Sequence, residues 1–131
     1  MTPKEELAEI QDVFKPFFTK YQFKLKSADI QEMVFENDYS QLMFDFDGYG
    51  MRFLIMSPPT IMYINKKTGK RYSIKSLVEK FHRIDFHLLF DDYFRTQGVG
   101  YYETWNKMII EYVEDIIRDS TFSWVKEFNS K

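Results

Sequence analysis

Two histidines, His82 and His87, stand in the stretch HRIDFH with Asp85 between them and Asp91 and Asp92 just beyond. Imidazole and carboxylate are ligands for zinc or a non-haem iron, so a small metal-dependent enzyme using His82, Asp85 and His87 is one reading of this stretch. The H-x-x-D-x-H spacing, however, is not the i,i+4 pair that puts two histidines on one helix face, and it matches no established zinc motif. Partly exposed histidines on an amphipathic segment account for it without a metal. A histidine–serine dyad has less support, because the chain contains no G-x-S-x-G turn to hold a nucleophile.

DFDGYG, residues 45 to 50, offers carboxylates at Asp45 and Asp47 followed by alternating glycines. A calcium loop needs ligands at its first, third and fifth positions, glycine at the sixth and a bidentate glutamate at the twelfth. Asp45, Asp47 and Gly50 fit, but Tyr49 and Met56 occupy the fifth and twelfth positions. As a hairpin the stretch is complete, since Asp47-Gly48 is a favoured type I′ pair between alternating flanks. QLMFDFD would then pair with YGMRFLIM, placing Phe44 and Phe46 on a core face and Asp45 on the other.

Two further stretches admit a ligand. GVGYYE, 98 to 103, opens a helix and so points amides at a phosphate, yet it lacks the third glycine and the βαβ context of a dinucleotide site. Lys66, Lys67, Lys70, Arg71 and Lys75 form a basic cluster flanked by Tyr63 and Tyr72, the composition of a single-stranded nucleic-acid site. The plain reading is a solvated lysine-rich turn that protects a sheet edge.

The elements that must position these residues follow from periodicity. Thr2, Pro3 and Glu5 make a capping box for a first helix carrying Leu7, Ile10, Phe14 and Phe17, which Pro16 ends or kinks. Period-two alternation over Tyr21, Phe23 and Leu25 predicts a strand, followed by strands at 30–37, 41–47, 49–56 and 60–65. Ser73 or Ser76, the latter with Glu79, caps a short helix, and another ends before Gly98. Trp105, Met108, Ile109, Tyr112, Val113, Ile116 and Ile117 predict one helix over 102–118, with favourable Glu103–Lys107 and Glu114–Arg118 pairs. A last helix, capped by Ser120, presents Phe122, Trp124, Val125 and Phe128. The expected fold is α+β in a single domain, 1–131: an N-terminal helix, about five mostly antiparallel strands, and three or four C-terminal helices packed on one face.

The apolar arc of helix 102–118 spans roughly 200°, wider than a one-sided helix needs. Either the C-terminal helix covers its second side or a homodimer or partner does.

Bulk properties narrow the classes. An apolar fraction of 44% and an aromatic fraction of 19% exclude a disordered chain. Net charge is −2 and the pI about 5.7, so no global field gathers nucleic acid or an anionic membrane. With no cysteine there is no disulfide, thiolate nucleophile or cysteine-based zinc site, which suits a cytoplasmic location. No run approaches the ~20 apolar residues of a membrane span, and MTPKEELAEIQDVF is too acidic for a signal peptide. No cofactor is expected.

With a helix, hairpin strands carrying FEN and DFD, then YSIKSLVEKF and a terminal helical pair, the chain resembles in layout the small uncharacterised α+β proteins of bacteria, many of them immunity proteins of polymorphic toxin systems. The resemblance implies a non-catalytic, stoichiometric inhibitor that binds one cognate toxin domain, with acidic and aromatic residues facing a basic nuclease. Asp38, Asp45, Asp47, Tyr49, Asp91 and Asp92 are the expected partner contacts.

Overall fold

A computed structural model describes residues 3–46, 60–96 and 100–131. The fold is α+β, with N-terminal helix, a five-stranded antiparallel sheet and C-terminal helices. Two compact units divide the chain, Met1–Ser73 and Ile74–Lys131.

In the first unit, α1 runs Pro3–Val13 and α2 runs Lys15–Tyr21. Pro16, at the start of α2, cannot donate to a carbonyl of α1, so the helix breaks at Phe14 and a new one begins. The break comes without loss of burial: Ile10, Phe14, Phe17 and Phe18 are all buried. Helix α2 then takes in Tyr21, which the alternation had assigned to a strand. It closes with Gln22 in the left-handed region (φ 63°), while Phe23 N–H reaches Phe18 O at 2.9 Å and the Gln22 amide turns back to Thr19 O. This is a Schellman ending, with the Phe18 and Phe23 rings supplying its apolar contact at 6.0 Å.

The sheet is a meander of β1 Lys24–Ala28, β2 Glu32–Glu36, β3 Ser40–Asp45, β4 Thr60–Asn65 and β5 Arg71–Ser73, in that spatial order. Here the predicted pairing fails. Ser40–Asp45 lies between β2 and β4, with Leu42 opposite Phe35 and Tyr63, so its hairpin partner is 60–65 rather than 49–56. Both 49–56 and 60–65 are apolar runs close to Ser40–Asp45 in the chain, and sequence alternation alone does not choose between them. The Asp47-Gly48 turn and the strand 49–56 lie outside the described residues.

One cross-strand row, Leu25–Phe35–Leu42–Tyr63–Tyr72, shares a face with Phe44 and Ile61. Phe18 packs on Phe35 at 4.5 Å and Phe14 meets Phe44 edge-on at 5.4 Å, so α1 and α2 cover this face. Phe46 is buried as expected and Asp45 is half-buried. The opposite face carries a smaller apolar cluster of Val34, Met43 and Ile64 with Met62. Asn37 ties this unit together: its Oδ1 accepts from Ser40 N at 2.8 Å, Ser40 Oγ and Tyr39 N, and its Nδ2 donates to Tyr21 O at 2.9 Å.

The second unit holds α3 Ile74–His82, α4 Phe86–Thr96, α5 Tyr101–Tyr112, α6 Glu114–Arg118 and α7 Val125–Ser130. Among the described residues five helices follow the sheet where three or four were expected, partly because 102–118 is not continuous. It breaks at Val113 (φ −130°, ψ 6°), and both Ile116 N and Ile117 N turn to Val113 O. No proline or glycine lies there. Next to this break the Tyr112 carbonyl accepts from His82 Nε2 at 2.7 Å. Trp105 packs against Phe86 (5.2 Å) and Phe90 (5.5 Å), joining α5 to α4.

Helix α7 begins at Val125, later than a cap at Ser120 predicts, and Trp124 and Phe128 pack on Phe81 of α3, at 6.3 and 6.1 Å. Asp119, not Ser120, organises the preceding loop: its carboxylate accepts from the amides and hydroxyls of both Thr121 and Ser123. Likewise Ser76 is the third residue of α3 rather than its cap. No helix among the described residues is long and apolar enough to cross a membrane.

Candidate functional site

The histidine stretch does not assemble a metal centre. His82 ends α3 and its ring is engaged by Tyr112 O, while Asp85 caps α4 by accepting from Leu88 N at 3.1 Å. Because a carbonyl only accepts, Nε2 carries the proton in this arrangement. No cluster of three or more histidines and carboxylates able to hold a metal occurs among the described residues.

The basic cluster sits on the β4–β5 turn, where Lys66, Lys67, Lys70 and Arg71 are exposed. Asn65 Oδ1 and the left-handed Gly69 (φ 78°) shape that turn. Stacking of bases requires aromatic faces open to solvent. Tyr63 (0% exposed) and Tyr72 (7%) are buried in the sheet row, so the lysines lack the platform that composition suggested. Lys66 is held 3.5 Å from Glu36, which also accepts from Gln41 Nε2 at 3.0 Å; these contacts hold the Glu36 carboxyl below its ordinary value. At GVGYYE, Gly100 caps α5, but the Glu103 carboxylate lies where a Cβ on Gly100 would be, occupying that helix start with the chain's own anion.

The expected partner contacts among the described residues fall in both units. Asp38 in the β2–β3 turn and Asp45 at the far end of β3 are roughly 20 Å apart at about 3.3 Å per strand residue. Asp47 and Tyr49 lie outside the described residues. Asp91 and Asp92 are exposed on α4, near Leu88, which at 70% is the most exposed large apolar side chain among those described.

The structure instead assembles a cleft of about 400 Å³ within the second unit. Phe81, Trp124 and Ile110 give it apolar walls, and Glu111, Glu114, Asp115, Asp119 and Glu127 line it with carboxylates. These acids come from the end of α5, from α6, from the following loop and from α7, and the break at Val113 is what turns α6 relative to α5. His82 and Tyr112, rings edge-on at 5.1 Å, stand at the same cleft.

Local contacts tune these groups. Four donors, chiefly the Ser123 and Thr121 hydroxyls, pull the Asp119 carboxyl down to about 2. The Tyr93 hydroxyl donates to Glu111, and that bond, with burial, pushes the phenol well above its ordinary value. Arg118 pairs with Asp115 and Lys131 approaches Glu127 at 3.7 Å, both in exposed settings where a pair is worth little. Lys131 and Lys80 also lie over the Phe81 and Phe128 rings. With five carboxylates against these few cations, the cleft stays negative. Sequence reasoning missed it, although Glu111, Glu114, Asp115 and Asp119 recur at helical spacing in EYVEDIIRD.

No family model matches the chain, and no curated protein or solved structure is similar to it.

Proposed function

We propose that this chain is a non-catalytic binding domain for a basic protein partner, acting as a stoichiometric inhibitor of the immunity type that holds one cognate toxin domain. The observation that supports this reading is the cleft of carboxylates around Phe81 and Trp124. Charge of one sign in a cleft with apolar walls speeds the encounter with a cationic surface, and aromatic walls supply the anchor for an arginine or lysine stem. The Arg118 and Lys131 pairs are exposed enough to exchange for a partner's cations.

The test is co-expression with the product of the neighbouring gene, followed by binding measurements at low and high salt. A one-to-one complex is expected whose association rate falls steeply with salt and drops at least about tenfold in Glu111→Lys/Asp115→Lys. No complex, or one indifferent to salt and to these substitutions, sinks the proposal.

A further inference from the structure

We infer that the outer edge of β1 is a docking site for an extended peptide segment of a partner, with alternating acidic and apolar side chains, added to the sheet as a strand. This surface belongs to the first unit and is independent of the acidic cleft.

Strand β1 is an edge of the sheet, and all five of its residues are exposed. Its outer backbone groups have no strand partner among the described residues, which is the condition for strand addition. The helix-facing row Leu25–Phe35–Leu42–Tyr63–Tyr72 is buried at every position except the first: Leu25 is 43% exposed against 1% for Phe35. Beside Leu25 opens a groove of about 940 Å³ between α2 and the start of β1, with Phe18, Phe23 and Phe35 in its walls. A strand laid along β1 would continue the row, setting an apolar side chain next to Leu25 and into that groove.

Lysines on β1 specify charge. Lys24 stands directly opposite Glu36, both bordering the groove, and Lys26, at the bulge between Leu25 and Ser27, approaches the same carboxylate at 3.7 Å. Lys15 lines the groove from α2. Glu36 already has Lys66 and Gln41, so it does not neutralise this edge alone. Edge lysines repel basic strands and discourage uncharged ones, which offer no counter-charge. Side chains of an incoming strand that fall beside Lys24 and Lys26 are therefore acidic, and the one beside Leu25 is apolar.

The experiment titrates the full chain with a fluorescent Glu-Val-Glu-Val-Glu-Val peptide and its Lys-Val counterpart. Binding of the first, weakened about tenfold or more by Leu25→Glu, with preference inverted toward Lys-Val in Lys24→Glu/Lys26→Glu, supports the inference. In an antiparallel or parallel addition only alternate amides face the edge. N-methylation of one alternate set should abolish binding and of the other set should leave it; equal effects of both sets overturn strand addition. Absence of binding by the unmodified peptide, with circular dichroism showing a folded chain, overturns it too. So does a dimer in sedimentation that Leu25→Glu dissociates, since a second copy would then own the edge.

Discussion

The groove beside β1 and the cleft around Trp124 are hollows of different origin. The first is made by backbone order: a Schellman ending turns α2 onto the sheet, Asn37 pins the β2–β3 turn to Tyr21 O, and one row of side chains runs out at an edge with no strand partner among the described residues. The second is made by helix ends, where the break at Val113 and the Asp119 loop bring carboxylates together. Their charge differs accordingly. Residues 1–73 hold ten lysines and arginines and ten acids, whereas 74–131 hold eight and ten, so the whole formal charge of −2 belongs to the second unit. A chain with weak net charge can still present one basic-edged and one acidic surface, because local arrangement rather than the sum sets the field a partner meets.

The comparison can be broken at several points. The largest effect is expected from Phe14→Ala, which removes a fully buried ring packed on Phe18 and Phe44 and should cost about 3–5 kcal/mol. Both tryptophans, Trp105 and Trp124, belong to the second unit, so urea unfolding followed by circular dichroism should show the loss, and tryptophan fluorescence tells whether the second unit shares it. A mutant as stable as the parent contradicts the packing described for the first unit.

Asp119→Ala should come next, at about 1 kcal/mol, the scale of a lost helix-type cap. Its folded value near 2 lies below the ordinary 3.8. The stabilisation it contributes is therefore fully present above pH 3.8 and disappears as pH falls toward and through 2. The difference between parent and mutant, measured by thermal melts from pH 6 to pH 2, should shrink in that window; a constant gap means the carboxylate is not what orders the loop.

The smallest effect is a gain. Gln22 sits at φ 63°, where a Cβ costs roughly 1 kcal/mol that glycine avoids. Gln22→Gly should raise stability by about 0.5 kcal/mol after the added freedom of the unfolded chain is counted. A destabilised mutant indicates that the Gln22 side chain does something in the groove that its backbone does not require.

Much of the architecture was readable from residue order. Pro16 announced the break at Phe14, Gly100 the start of α5, and the alternation of FEN and QLMFDF the central strands. The pairing of β3 was not readable, because YGMRFLIM and TIMYIN are both apolar runs that alternation alone does not rank. Nor was the site. The expected contacts are acids near tyrosines, and the described ones belong to both units. The acids that do converge sit in a segment whose helical period concealed a break, since Val113 is as acceptable inside a helix as any other β-branched residue.

What the sequence determined by itself is the class of object: an aromatic-rich α+β chain without cysteine chemistry, whose apolar spacing dictates where helices and strands lie. Such patterns are local, and burial of a repeating face suffices to enforce them. Which strand pairs with β3, which carbonyl His82 finds and which carboxylates share a cleft were decided only by tertiary structure. Each depends on groups distant in the chain meeting at hydrogen-bond range, and no period of 2 or 3.6 encodes that distance.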